Sequence, residues 1–206
     1  MSHITNINSV LTGSNTSSDG KSQPSASGKS QPSASGKSQP SASGRNIELP
    51  HELMLWSHEI HSNNWYIDGY SKICDINNVS DFWKVFNNFE KMNTRSKHYY
   101  LMKSGIDPTW EHPSNSNGGQ CSFRIEHSVA KELWENLCVR FVCNELYDDV
   151  DDINGLSYSP KNNWVIVKIW NKNGKNNIEA KLRTDLKKKL DDDNISIKYK
   201  INIPEH

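Results

Sequence analysis

The chain has no surplus of charge of either sign. Lys+Arg and Asp+Glu both number 24, so no global basic field exists to hold a long polyanion non-specifically. Any nucleic-acid contact should therefore be local and small, and DNA is not an expected partner. No apolar run approaches bilayer-spanning length, and the N-terminus lacks the charged-then-apolar pattern of a signal peptide. A cytoplasmic protein with no membrane partner is expected. Cysteine is scarce: Cys74, Cys121, Cys138 and Cys143 form no CxxC pair and no His-flanked zinc spacing, which predicts reduced thiols. No Ser-His-Asp, Cys-His or paired-carboxylate constellation stands out. The chain is not expected to be an enzyme or to need a cofactor or metal.

Three patterns imitate sites and fail on spacing. His58-Glu59-Ile60-His61 places its histidines three apart with the Glu between them, not as the His-Glu-x-x-His of a zinc protease. Anchoring a calcium loop on Gly155 puts Val150 at the first ligand position and Lys161 at the last, so the acidic run from Asp148 reads as a solvated loop. Residues 20–43 repeat Gly-Lys-Ser-Gln-Pro-Ser-Ala-Ser, but the Gly that a phosphate-binding loop needs before Gly28 is Gln23. That repeat has almost nothing to bury against its ordering entropy. Residues 1–46 read as a disordered low-complexity tail, and 47–206 as one domain.

Within 47–206, strands and helices are interspersed. Trp164–Trp170 and Ser196–Ile201 have strand character, the second alternating at period two. Val79–Met92 reads as a helix with Ser80 as its N-cap, Ser128–Leu146 as a second, and Glu179–Leu190 as a third with Leu182, Leu186 and Leu190 on one line. The pattern is α+β, one largely antiparallel sheet with helices on one face. In the first helix Phe82, Val85, Phe86 and Phe89 make the buried stripe, whereas Trp83 lies about a hundred degrees off it with Val79 on its own line. Trp83 is either covered by another segment or left as a hot spot for a partner. Trp134 falls on the stripe of the second helix and reads as packing.

The segment Gly105-Ile106-Asp107-Pro108-Thr109-Trp110-Glu111, with Gly118-Gly119 following, sets a large aromatic beside a carboxylate in a loop. Such a pair suits a flat cationic ring with donors on its edge. The indole stacks on it by cation–π attraction, and the carboxylate accepts two parallel N–H bonds. A methylated guanine is such a ring.

Taken in order, Trp56, Trp65, Val79-Ser80-Asp81-Phe82-Trp83, the Gly105–Glu111 segment, Gly118-Gly119, Trp134 and Ile169-Trp170 resemble the eukaryotic translation initiation factor 4E family. These proteins bind the 7-methylguanosine cap of messenger RNA. The resemblance implies a curved antiparallel sheet of about eight strands with three helices on its convex face. It implies Trp65 and Trp110 sandwiching the base, Glu111 reading the guanine edge, and Trp170 near the methyl group. Lys161 matches a phosphate contact. Val79, Trp83 and, one turn beyond Trp134, Val139 match a dorsal surface that docks a scaffold initiation factor or its helical-peptide mimics. The chain departs from the pattern where Gln120 and Cys121 follow the Gly pair in place of a basic residue and an aromatic. Ile166 replaces a second basic residue, and Glu135 and Asn136 follow Trp134. Lys168 shares strand parity with Ile166 and Trp170, so it either substitutes for the missing cation or is a solvated charge.

The leading expectation is a cap-binding protein of translation initiation whose main partner is capped mRNA. The alternative is a cap-weak module on the same fold that captures a partner through Trp83 and represses or redirects translation. A third reading is an unrelated aromatic platform for sugars or other nucleotides.

Overall fold

Alternation of side chains along each strand builds one curved sheet with two unlike faces. A computed structural model describes residues 46–202; the expected tail, 1–46, lies almost wholly outside the described residues. The strands are β1 (Glu48–Glu59), β2 (Tyr70–Asn78), β3 (Lys97–Lys103), β4 (Gly119–Ile125), β5 (Ile153–Pro160), β6 (Val165–Asn171) and β7 (Ser196–Ile201). They pair in the order β2-β1-β3-β5-β6-β4-β7, every pairing antiparallel. The described sheet thus has seven strands rather than about eight. The long connection 104–118 is rich in Gly, Pro and Asn and binds its own backbone instead of adding to the ladder.

Leu53 and Leu55 of β1, Leu101 of β3, Phe123 of β4 and Val167 and Ile169 of β6 point to the helix side and are buried. The helices are α1 (Val79–Phe86), α2 (Pro113–Ser116), a single turn inside the β3–β4 connection, α3 (His127–Val142), α4 (Ile178–Lys181) and α5 (Thr184–Asp192). The three longest, α1, α3 and α5, bring Phe82, Trp134 and Leu186 into the same core. Trp134 is fully buried against Phe86, Phe89 and Tyr158, as its place on the stripe predicts.

The helix ends differ from the sequence expectation, each for a local reason. Asn78, not Ser80, caps α1, its side chain accepting from Asp81 N at 2.9 Å. The helix stops at Phe86, and Asn88 bonds back to the Lys84 carbonyl before a short 3-10 turn at Phe89–Lys91. Helix α3 ends earlier than Leu146 because Asn144 takes the left-handed conformation (φ 58°). There Asn144 N bonds to Phe141 O and Glu145 N to Arg140 O, the paired bonds of a Schellman ending. The third helix divides at Leu182 and Arg183, where Arg183 N bonds to Leu146 O instead of continuing the helix. Leu182, Leu186 and Leu190 are buried all the same.

The acidic run is not wholly solvated. Asp152 is buried at the foot of β5 and accepts from the Tyr147 hydroxyl, Asn171 Nδ2 (3.1 Å), Asn176 Nδ2 (3.1 Å) and Asn173 N (2.9 Å). Burial alone would raise its pKa; the hydrogen bonds outweigh this and hold the carboxyl below its ordinary value. Residues 153–155 then enter β5. The four cysteines are free thiols, and no group of three or more potential metal ligands occurs among the described residues. Nor is any described helix long and apolar enough to cross a membrane.

Candidate functional site

Two ladders of side chains run across the face opposite the helices. One reads Trp56–Tyr100–Ser157–Lys168–Ser122–Lys198 and the other Met54–Met102–Gly155–Trp170–Gln120–Lys200. Over β3, β5 and β6 they floor a cleft of about 530 Å³. Gly155 is required here, because a Cβ would stand 2.4 Å from Leu101 O and 2.6 Å from Met102 Sδ.

Loops at two edges raise the walls. Trp65, in the β1–β2 loop, is 49% exposed and lies on the His58 ring with centroids 4.2 Å apart and planes 11° apart. His58 is itself fixed by Asn64 O at 2.7 Å. Trp110 follows β3 and is 39% exposed, with Lys168 Nζ 6.0 Å from its ring centroid and the exposed Glu111 beside it. All three line the cleft together with Lys161, Lys168 and Trp170. Trp170 belongs to the floor: it is 3% exposed, packs edge-on to Tyr100, and donates from Nε1 to Ser157 Oγ at 3.0 Å.

The Trp110 loop is held by a residue that sequence reasoning did not single out. Asn115, fully buried, donates both amide hydrogens, to Asp107 O (2.9 Å) and Thr109 O (2.8 Å). Its Oδ1 accepts from Asn154 Nδ2 (2.9 Å) of β5, and its carbonyl accepts from Asn202 Nδ2 (2.8 Å). A single amide thereby ties the residue before Trp110 to the sheet. The chain turns away from β3 at Gly105, whose φ of 81° disfavours other residues.

Charge in the cleft is unevenly satisfied. Lys168 donates to Gln120 Oε1 at 2.7 Å; burial, with Lys161 and Lys200 adding repulsion, lowers its pKa to about 8. Because Lys168 can only donate, the Gln120 amide must present oxygen to it, and Gln120 Nε2, buried, has no partner. Lys161 sits exposed at the β5–β6 turn. Burial, followed by the nearby Lys161, His58 and Lys168, lowers the pKa of His98 to about 4, so this ring stays neutral near pH 7. Burial also pushes the Tyr70 hydroxyl up to about 12, the Tyr100 hydrogen bond opposing and Glu111 reinforcing the shift. Tyr70, His98, Tyr100, Ser157 and Ser159 complete the lining with Ile166. Their signal in the sequence was strand parity, which becomes usable only once the strand order is known.

The other predicted group lies on the helix side. Trp83 is 38% exposed, its ring edge-on to Phe82, so the described chain does not cover it. Val79 and Val139 are half-buried. Asn136 accepts from Arg140 Nε at 3.1 Å and, with Glu135 and Val139, lines a shallow groove on α3.

Residues 48–204 match the family model described as Eukaryotic initiation factor 4E. The wheat (Triticum aestivum) eukaryotic translation initiation factor NCBP is 33% identical over 110 residues, 52% of this chain and 47% of the wheat protein. Eukaryotic translation initiation factor 4E of Dictyostelium discoideum is 31% identical over 119 residues, 56% of this chain and 47% of its own. The matched region thus spans about half the length of these curated relatives. Among solved structures, Ascaris suum eIF4E-3 with m7G cap superposes with a TM-score of 0.67 at 22% identity, covering 78% of this chain and 93% of that one. C. elegans eIF4E-3 with the 4E-binding protein Mextli and cap analog gives 0.67 at 22%, covering 76% and 92%. At that identity the likeness is one of fold.

Proposed function

The chain belongs to the eukaryotic initiation factor 4E family, and on that premise we propose that it binds the 7-methylguanosine 5′ cap of mRNA and acts, without catalysis, in translation initiation. The observation that carries the reading is the convergence of Trp65, Trp110 with Glu111, and Trp170 on one cleft from three separate chain segments. In this reading 47–206 is the cap-binding domain, and the N7-methylated base lies between Trp65 and Trp110. Each indole face contributes roughly 1–3 kcal/mol by stacking, and methylation adds the cationic charge that an indole attracts. Glu111 accepts two N–H bonds from the guanine edge, a charge-assisted contact of about 1.5–3 kcal/mol. Trp170 forms the floor near the methyl group. Lys161 and Lys168 face the phosphates, and Gln120 Nε2 offers a donor where the family pattern has a cation. The relatives' names and the cap complexes among the structural neighbours agree with this reading.

A second reading is favoured by Trp83, an indole left exposed beside Val79. It would seat the amphipathic helical peptide of a scaffold factor or of an inhibitory mimic, as the neighbours solved with 4E-binding proteins suggest. If this face carries the function, the chain is a cap-weak module that represses or redirects translation. Reciprocal variants separate the readings. Trp110→Ala should abolish retention on 7-methyl-GTP resin while leaving partner capture intact, and Trp83→Ala should do the reverse. Retention of the Trp110→Ala chain equal to wild type would refute the cap reading.

A further inference from the structure

The cationic face does not end at the cleft. Both side-chain ladders continue past β6 onto β4 and the edge strand β7. Ser122 lies between Lys168 and Lys198, and Gln120 between Trp170 and Lys200. Beyond them Arg124 pairs with Ile166 on one side and Ser196 on the other. The cleft-side positions of these three strands therefore hold Lys168, Arg124, Lys198 and Lys200 and no carboxylate. In a chain with equal acid and base totals this is a local excess. Lys198 and Lys200 are exposed, whereas the alternate residues Ile197 and Tyr199 pack toward the helix-side core. Among the described residues neither lysine has an ion-pair partner within 4.0 Å. Lys200 is close enough to Lys168 to oppose its protonation. Gln120, on the row that joins Trp170 to Lys200, is buried with its Nε2 unpartnered, so a donor stands between the cleft and the edge. Two strand spacings, about 10 Å, separate β6 from β7.

We infer that the nucleotides following a bound cap run across β4 onto β7, their phosphates held by Lys198 and Lys200. The occupant is single-stranded RNA joined to the cap, because a row of donors and cations continuous with the cleft complements a chain of phosphates. The inference rests on the cap reading above. Lysines on an edge strand also discourage strand-to-strand association, and the following test distinguishes that role.

The full chain and its Lys198→Ala/Lys200→Ala variant would be titrated with 7-methyl-GTP and with a capped ten-nucleotide RNA at several salt concentrations. Wild type should bind the capped RNA more tightly than 7-methyl-GTP. The variant should lose that advantage severalfold, keep its 7-methyl-GTP affinity within twofold, and show a salt slope shallower by about 1.4, roughly 0.7 for each single-strand phosphate contact. Equal capped-RNA affinity and slope in both proteins would overturn the inference and leave the lysines to protect the edge. An equal loss for both ligands would also overturn it, by assigning the lysines to the cap's own phosphates. A wild type blind to 7-methyl-GTP would instead overturn the cap reading, and the path with it.

Discussion

The two faces of the sheet are made by the same strands and have opposite character. On the helix side, alternate residues such as Leu55, Leu101, Phe123 and Ile169 are wholly buried and close a core with Phe82, Phe86 and Trp134. On the other side, the intervening positions Tyr100, Lys168 and Trp170 line an open cleft, with Trp56 in the same cluster as Tyr100 and Trp170. Polar groups there are left unspent: Gln120 Nε2 and the Nδ1 atoms of His58 and His98 have no partners. The first face is given over to packing, with the Trp134 indole N–H buried there without a partner. The second retains donors, charge and exposed indoles, as a binding surface must.

The sharpest way to break this contrast is to remove the tryptophan at the centre of the helix side. Trp134→Ala removes a fully buried indole and should cost about 3–5 kcal/mol of stability, lowering the thermal midpoint by about 10 °C. Any fraction still folded should bind 7-methyl-GTP normally. Calorimetry beside a titration on the same sample checks both halves.

A smaller effect with the opposite signature is expected at Asn115. Its alanine variant leaves the carbonyls of Asp107 and Thr109 without their partner and Asn154 Nδ2 with the Ser114 carbonyl in place of two acceptors, so the Trp110 loop keeps its backbone bond to β5 and loses the clamp on the residues before Trp110. Affinity for 7-methyl-GTP should fall about tenfold, corresponding to the roughly 1–3 kcal/mol cost of unsatisfied buried groups. Asn115→Asp keeps the bond from Asn154 but turns lone pairs toward the two carbonyls, and should fare no better. Unchanged affinity in either variant would show that the loop holds its place unaided.

The mildest contrast is electrostatic. Lys168, with its pKa lowered to about 8 chiefly by burial, is charged at pH 7 and loses its proton as the pH rises through 8. The ratio of wild-type to Lys168→Met affinity for 7-methyl-GTP should therefore fall from pH 7 to pH 9, with a slope no steeper than one log unit per pH unit. The stability contribution runs the other way. The folded pKa lies below the unfolded value of 10.5, so the unfolded chain holds more protons between about 8 and 10.5, and the Lys168 contribution to folding grows as pH rises through that window. A flat affinity ratio would remove Lys168 from the phosphate path.

Much of this contrast was legible in the sequence where short-range rules decide. The stripe Phe82–Val85–Phe86–Phe89, the off-stripe Trp83, and the strands near Trp164–Trp170 and at Ser196–Ile201 follow from periodicity alone, and the structure has them. Helix ends were misjudged because Asn78, Asn88 and Asn144 act through side-chain bonds and a left-handed backbone that apolar periodicity does not register. The Asn115 clamp was invisible for a different reason. An Asn in a Gly- and Pro-rich loop reads as a turn residue, and its partner Asn154 is 39 positions away. The floor residues Tyr100 and Ser157, and the adjacency of β7 to β4, likewise depend on strand order, which alternation cannot supply.

The central claim is that the open face reads a methylated guanine through Glu111 and two indoles. Its most direct test is a tryptophan-fluorescence titration of wild type and Glu111→Ala with 7-methyl-GTP and with GTP. Wild type should be quenched strongly by the methylated nucleotide alone, and the variant by neither. Equal responses to both nucleotides, or none to either, would contradict it.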